Sequence, residues 1–162
     1  LGALMTAVIL AGRSGSAFAA ELGTMKVNEE LDALTTMGLD PVRFLVVTRV
    51  MASVAAMPIL VLCFNLAGLA GGMVVVVSLG FPPITFVNRV AYAVVLADLY
   101  GGLVKALVFA VLVTAIGCLR GMQTDSGARA VGESATSDVV SGIVLIAVAD
   151  GILSVLYYVL GI

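Results

Sequence analysis

The sequence has 162 residues, of which 62% are hydrophobic and 11% are charged, and its formal net charge is −2. A soluble domain typically has about a quarter of its residues charged, so this composition excludes an ordinary soluble domain and indicates an integral membrane protein. The chain has no histidine, and its two cysteines lie in separate apolar runs, which argues against a metal site and against a disulfide. No basic patch with interleaved aromatic residues indicates nucleic-acid binding.

Long apolar runs predict the fold class, an all-α polytopic membrane helical bundle. No charge occurs between Arg49 and Arg89, a stretch much longer than the ~20 residues that a spanning helix needs. The runs do not alternate apolar with polar residues, which argues against an outer-membrane barrel. We therefore expect one transmembrane domain over residues 1–162, with about four spans at 1–20, 43–74, 99–119 and 139–160.

The first predicted span begins at Leu1, inside an apolar run with no charged segment before it, so it is not a signal peptide. We expect the chain to be a fragment that lacks an N-terminal portion. The span carries one charge, Arg13, which can either reach the lipid headgroups or pair inside the protein. The small residues Gly12, Gly15 and Ser16 allow a neighbouring helix to approach closely.

A polar stretch follows, with seven acidic or basic side chains between Glu21 and Arg43. Apolar residues recur there mostly at three- and four-residue spacings, which predicts an amphipathic helix over 21–38. Gly38 and Pro41 supply a left-handed residue and a break after it. We expect this helix to dock a partner; the alternative is a solvated connector, which would need only a few residues. The apolar stripe consists of Leu22, Met25, Leu31, Leu34 and Met37.

The second predicted span contains Pro58, which should kink it because proline removes a backbone donor and clashes with the preceding turn. Gly68 and Gly72 form a GxxxG pair, a weak signal for helix packing. Residues 78–98 form a connector on the opposite side, in which 87–98 is predicted to be a short helix near the membrane surface.

The third and fourth spans each contain a charge, Lys105 and Asp150. A charge at the bilayer centre costs at least ~2.5 kcal/mol on insertion scales, so both residues are functional candidates. Lys105 can instead extend to the headgroups, because it lies about six residues from the start of its span. Asp150 is too short to do so and should face protein or water, paired with Lys105 or with a helix missing from the fragment.

The distribution of lysine and arginine predicts the orientation. Cytoplasmic loops are enriched in these residues, which places the polar helix and the 120–138 loop in the cytoplasm. The opposite connector carries only Arg89, whereas the two cytoplasmic segments contain or adjoin Lys26, Arg43, Arg49, Arg120 and Arg129.

No catalytic pattern occurs in the sequence: there is no GxSxG, no histidine base and no Walker A motif. We therefore expect that the chain is not an enzyme. If the protein uses ATP, another subunit must bind it.

Residues 11–50, AGRSGSAFAAELGTMKVNEELDALTTMGLDPVRFLVVTRV, resemble the signature of the MlaE/YrbE permeases, membrane subunits of MCE-linked lipid ABC transporters. ADLYGGLVKALVFA, GARAVGESAT and VLIAVADGILS are also similar, so the resemblance covers essentially the whole chain. It implies a five-helix permease from which the elbow helix, the first span and the opening of the second are missing. The chain departs from the family at Ala3, where proline is frequent.

The resemblance also implies roles for individual residues. The helix from Glu21 to Met37 would be the coupling helix that docks on the ATPase. Lys105 would face a lipid cavity, with Leu1 and Asp150 as further cavity candidates. The implied coupling residues are Glu21, Met25, Glu29, Glu30, Leu31, Asp32 and Leu34.

The implied function is movement of phospholipid between the inner membrane and an MCE protein, in outer-membrane lipid asymmetry or lipid trafficking. The implied partners are an ABC ATPase that binds the ATP and magnesium, an MCE-domain protein, in some systems a STAS-domain protein, and a second permease copy. The expected location is a bacterial inner membrane, although chloroplast envelopes carry similar permeases. The alternative function is a membrane scaffold that docks a cytoplasmic partner without transport; an intramembrane enzyme is disfavoured.

Overall fold

The computed structural model describes residues 1–94, 96–125 and 127–160, and these residues contain helices and no strand. Four helical stretches are long and apolar enough to cross a membrane, which confirms the predicted all-α membrane bundle. These stretches run over Gly2–Val27, Val42–Ser78, Asp98–Met122 and Ala128–Val159.

The first stretch combines α1 (Gly2–Leu10), a π-helical turn π1 (Ala11–Gly15) and α2 (Ser16–Val27). A short helix, α3 (Glu30–Thr36), follows it. The second stretch combines π2 (Val42–Val46) and α4 (Val47–Ser78). The remaining helices are α5 (Pro83–Ala93), α6 (Leu96–Met122) and α7 (Ala128–Leu160).

The core of the bundle lies around α6, which packs on α1, α2, α4 and α7. Alanines at four-residue spacing on the first stretch, Ala3, Ala7 and Ala11, are buried against this core. Small side chains let helix backbones approach closely, which supplies packing where the hydrophobic effect between helices is absent. The larger core side chains are Met57, Val61, Phe109, Val113 and Ile146.

The closest helix contact is made by a GxxxG pair on α6, Gly117 and Gly121. A Cβ at Gly117 would lie 2.8 Å from the carbonyl oxygen of Gly15, and one at Gly121 would lie 2.9 Å from that of Ala19. The α6 glycines are therefore required for α2 to approach.

The predicted packing role of Gly68 and Gly72 is wrong for contacts between the described spans. A Cβ at Gly68 would meet nothing within 4 Å, and one at Gly72 would meet Phe86 of α5. The α4 helix also continues through Pro58 without interruption.

The helix predicted over 21–38 is divided, which corrects the predicted boundary. Residues up to Val27 continue the first span, because Leu22 is buried against Gly121 of α6 and Gly23 against Thr124, which follows α6. The division falls at Glu29, whose φ of 61° lies in the left-handed region. No glycine or proline marks this position in the sequence.

The predicted end of this segment is confirmed. Gly38 has φ +77°, the Gly38 N–H donates to the Thr35 carbonyl, and the Leu39 N–H donates to the Leu34 carbonyl. This is the glycine-terminated end that the sequence indicates.

The two ends of the bundle differ. At the α3 end, Gly23 lies against Thr124, and the hydroxyls of Thr124 and Ser134 are 2.8 Å apart, so the end of α2 and the α6–α7 connection are neighbours. At the α5 end, Gly101 lies against Tyr157.

Two predicted connector boundaries also change. The surface helix expected over 87–98 begins at Pro83, because proline suits the first turn of a helix, and it ends at Ala93; Val95 lies outside the described residues. The polar loop predicted over 120–138 is mostly helical, since α6 extends to Met122 and α7 begins at Ala128. Ser126 of that loop lies outside the described residues.

Candidate functional site

The α3 helix presents carboxylates to solvent at one end of the bundle. Glu29, Glu30 and Asp32 are exposed, whereas Leu31 is buried with 9% of its surface accessible. Glu30 and Asp32 lie in the first turn of α3, where the positive end of the helix dipole favours acidic side chains. The predicted coupling residues Met25 and Leu34 are half-buried, so they are less accessible to a partner than the three carboxylates. The arrangement gives a short acidic helix anchored by Leu31.

Glu21, the remaining predicted coupling residue, lies in the middle of α2. Its Oε1 is 2.9 Å from Nη2 of Arg49, a residue in the first turn of α4. The Arg49 guanidinium also donates from Nη1 to the Phe18 carbonyl at 3.4 Å and lies 5.3 Å from the centre of the Phe18 ring. Glu21 is therefore engaged within the chain, which sets it apart from the carboxylates of α3.

Lys105 and Asp150 meet between α6 and α7. Lys105 Nζ is 2.9 Å from Asp150 Oδ1 and donates to Ser154 Oγ at 2.8 Å. Nζ also lies 5.4 Å from the centre of the Tyr157 ring, whose hydroxyl donates to the Gly101 carbonyl at 3.2 Å. The pair of Lys105 with Asp150, one of two alternatives that the sequence left open for Asp150, is confirmed. These contacts use two of the three lysine N–H donors for hydrogen bonds to side chains.

A cavity of about 480 Å³ lies at the α5 end, between the start of α1, α4 and the start of α6. Its lining is mainly apolar, with Asn65 and Asp98 as polar members. Lys105 and Asp150 do not line it, because they face each other between α6 and α7, away from α4. Leu1 is 97% exposed and does not line it either, although Gly2 does. The three predicted cavity residues are thus not brought together at this cavity.

Arg13, the charge in the first span, has an exposed side chain on π1. It lines a separate crevice of about 460 Å³ between the first stretch and α4, with Ile9, Leu60 and Phe64 among its apolar neighbours. The sequence allowed Arg13 either to reach the lipid headgroups or to pair inside the protein. Its exposed side chain agrees with the first of these.

Asp138 was placed in a loop by sequence reasoning, but it lies in α7 and is 1% exposed. Neither of its carboxylate oxygens has a hydrogen-bond partner among the described residues. Its Oδ2 would lie 2.8 Å from a Cβ at Gly15, so glycine is needed there. The nearby arginine, Arg120, donates instead to Ser141 Oγ at 2.8 Å. The polar composition around Asp138 concealed its burial, because the segment reads as a loop.

Comparison with known proteins supports a single family. The family described as permease MlaE matches residues 1–156. A probable ABC transporter permease protein of Synechocystis is 45% identical over 159 residues, which are 98% of this chain and 60% of that protein. A probable ABC transporter permease protein of Rickettsia typhi is 38% identical, with 98% of this chain and 61% of that protein covered.

The protein TRIGALACTOSYLDIACYLGLYCEROL 1, chloroplastic, of Arabidopsis thaliana is 38% identical over 98% of this chain and 45% of its own length. The chain therefore spans about three fifths or less of the length of these relatives. The family match covers nearly all of the chain, and its helices form a multi-pass membrane bundle. This chain belongs to the MlaE permease family.

Proposed function

We propose that this chain is the membrane-spanning part of an ABC transporter permease that moves phospholipid, driven by a separate ATPase subunit that docks on α3. The observation that carries the proposal is the position of α3, a short acidic helix that lies at one end of the bundle and, among the described elements, packs on α2. The Synechocystis and Rickettsia relatives are named as probable ABC transporter permeases, which supports the transporter class.

The chemistry of α3 suits a docking element. Leu31 attaches the helix to the bundle, while Glu30 and Asp32 point their charge away from it. A basic surface on the ATPase would match these carboxylates and help to fix its register. ATP and magnesium would be bound by that subunit, and this chain would supply no catalytic residue.

The proposed lipid chemistry rests on Lys105 and on the apolar faces of the spans. A phospholipid has two apolar tails and one anionic phosphate, and lysine is a compact cation that binds phosphate as a point charge. Lys105 Nζ has a third N–H besides those given to Asp150 and Ser154. A phosphate would take that donor or compete with Asp150. The glycolipid in the name of the Arabidopsis relative supports a lipid as the transported class.

The wider assembly is also part of the proposal. The permease would act as a homodimer in a bacterial inner membrane, with the α3 end in the cytoplasm. An MCE-domain protein would receive or deliver lipid at the α5 end, and a STAS-domain protein would join in some systems. The family match and the resemblance of residues 11–50 support this arrangement.

The docking role is tested by reversing the charge of α3 in the full-length permease. Glu30→Lys combined with Asp32→Lys should release the copurifying ATPase, because two attractive contacts become repulsive. Glu133→Lys is the matched control, since Glu133 is also exposed and acidic but lies on α7. Retention of the ATPase by the double variant would refute docking on α3, and equal release by Glu133→Lys would show that the effect is not specific.

The lipid role is tested by crosslinking from the bundle interior. Lys105→Ala should reduce crosslinking of a photoreactive phospholipid, whereas Lys105→Arg should retain more of it because the cation remains. A purified complex that binds the ATPase but yields no bound phospholipid would favour the non-transporting scaffold instead.

A further inference from the structure

We propose that Arg49 is a positioning residue that transmits movement of the docked α3 segment to the second span. The inference rests on the proposed function and names the link between ATPase docking and the rearrangement of α4. Its basis is the clamp formed by Arg49, Glu21 and Phe18, which we call the arginine clamp.

Three contacts of one guanidinium fall on a single turn of α2. Nη2 lies 2.9 Å from Glu21 Oε1, Nη1 donates to the Phe18 carbonyl at 3.4 Å, and the Phe18 ring lies 5.3 Å away. The Arg49 side chain is 13% exposed, whereas that of Glu21 is 61% exposed. The planar guanidinium thus makes an ion pair and a hydrogen bond from two nitrogens in a fixed geometry, which the compact ammonium of lysine cannot reproduce.

The clamp spans a gap between two helices. The α2 helix packs on α6 and α7, and α4 packs on α6 and α1, but among the described residues the backbones of α2 and α4 do not pack against each other. Arg49 therefore reaches from the first turn of α4 to a helix whose backbone does not pack on that of α4. The covalent connection between them runs through α3 and the segment that follows it.

This position has a mechanical consequence. The α3 helix begins three residues after α2 ends, so a force on α3 acts on the same unit that carries Glu21 and Phe18. The arginine clamp passes that displacement to the base of α4. Further along, α4 supplies Leu62, Leu66 and Leu69 to the cavity at the α5 end. A movement at the α3 end thereby reaches a cavity wall at the other end.

The test uses the full-length permease with its ATPase in proteoliposomes and measures phospholipid transferred per ATP hydrolysed. Arg49→Lys and Glu21→Gln should leave the ATPase bound and active but lower the transfer ratio by about tenfold, within the usual range of coupling between sites. The charge swap Arg49→Glu with Glu21→Arg should recover part of the ratio. Arg129→Lys is the control, because its exposed pair with Glu133 lies within α7 and should leave the ratio unchanged.

Three outcomes would overturn the inference: an unchanged transfer ratio in both clamp variants, loss of the ATPase from both, or no recovery in the charge swap. If Arg49→Lys does not assemble, Glu21→Gln decides the result, since its exposed side chain is replaced by one of the same shape. Failure of the proposed function is distinguishable, because the wild-type complex would then bind no ATPase or transfer no phospholipid.

Discussion

Replacing Asp150 alone should destabilise the protein more than replacing Asp150 and Lys105 together. Lys105 Nζ and Asp150 Oδ1 are 2.9 Å apart, and their side chains are 17% and 25% exposed. Asp150→Asn leaves the ammonium between α6 and α7 without the carboxylate charge that balances it, so that its acceptors there are Ser154 Oγ and a neutral amide oxygen. Adding Lys105→Met removes that stranded charge.

The expected loss of stability follows from two free energies of similar size. A hydrogen bond to a charged group contributes about 1.5–3 kcal/mol, and a charge at mid-span costs ~2.5 kcal/mol on insertion scales. Because the pair is partly exposed, we expect Asp150→Asn to cost about 2 kcal/mol. At about 2–4 °C per kcal/mol for a chain of this length, the melting temperature should fall by about 4–8 °C.

The assay is a double-mutant cycle on thermal unfolding of the permease in one detergent. The double variant should regain most of the loss, which gives a coupling energy of about 1–2 kcal/mol. The exposed Arg129–Glu133 pair is the control, with 93% and 67% of the two side chains accessible, and its coupling should stay below about 0.5 kcal/mol. Additive effects of Lys105→Met and Asp150→Asn would refute the argument that the two charges stabilise each other.

Two further predictions concern the packing around α2. Gly117→Ala should lower stability by about 1–3 kcal/mol, because its Cβ would press on the Gly15 carbonyl oxygen, whereas Gly71→Ala should not, since a Cβ there meets nothing within 4 Å; equal melting temperatures for both variants would contradict this packing. Asp138→Ala should raise the melting temperature, because it removes a buried carboxylate that has no hydrogen-bond partner in the described part of the chain, and a decrease would show that Asp138 has a stabilising contact in the assembled protein.

The spans could be predicted from the sequence because hydropathy depends on local composition. Their boundaries could not, because tertiary contacts decide where a helix continues. Leu22 and Gly23 extend the first span into a charged segment by packing on α6 and on Thr124 just after it. The start of α7 could not be predicted either, because its first residues are rich in glycine, serine and alanine and have the composition of a loop.

The candidate sites also differ in how far the sequence alone could predict them. Lys105 and Asp150 were recognisable because a charge inside an apolar run needs a partner, and only a few were available. Glu21 and Arg49 each looked like an ordinary charge at a membrane boundary. Their pairing depends on how α2 and α4 lie across α6, which no local pattern encodes.

The long second stretch is less buried within the chain than the third, so it is the element that we expect to move in the proposed transport. Its 37 residues extend about 55 Å at 1.5 Å per residue, well beyond the ~30 Å hydrocarbon core. Only 6% of its most apolar window is buried within the chain, compared with 39% for the third stretch. Fewer side chains within this chain must therefore separate for the second stretch to shift than for the third. Its base is held by Arg49, so the direction of any shift is set where α2 and α4 are joined.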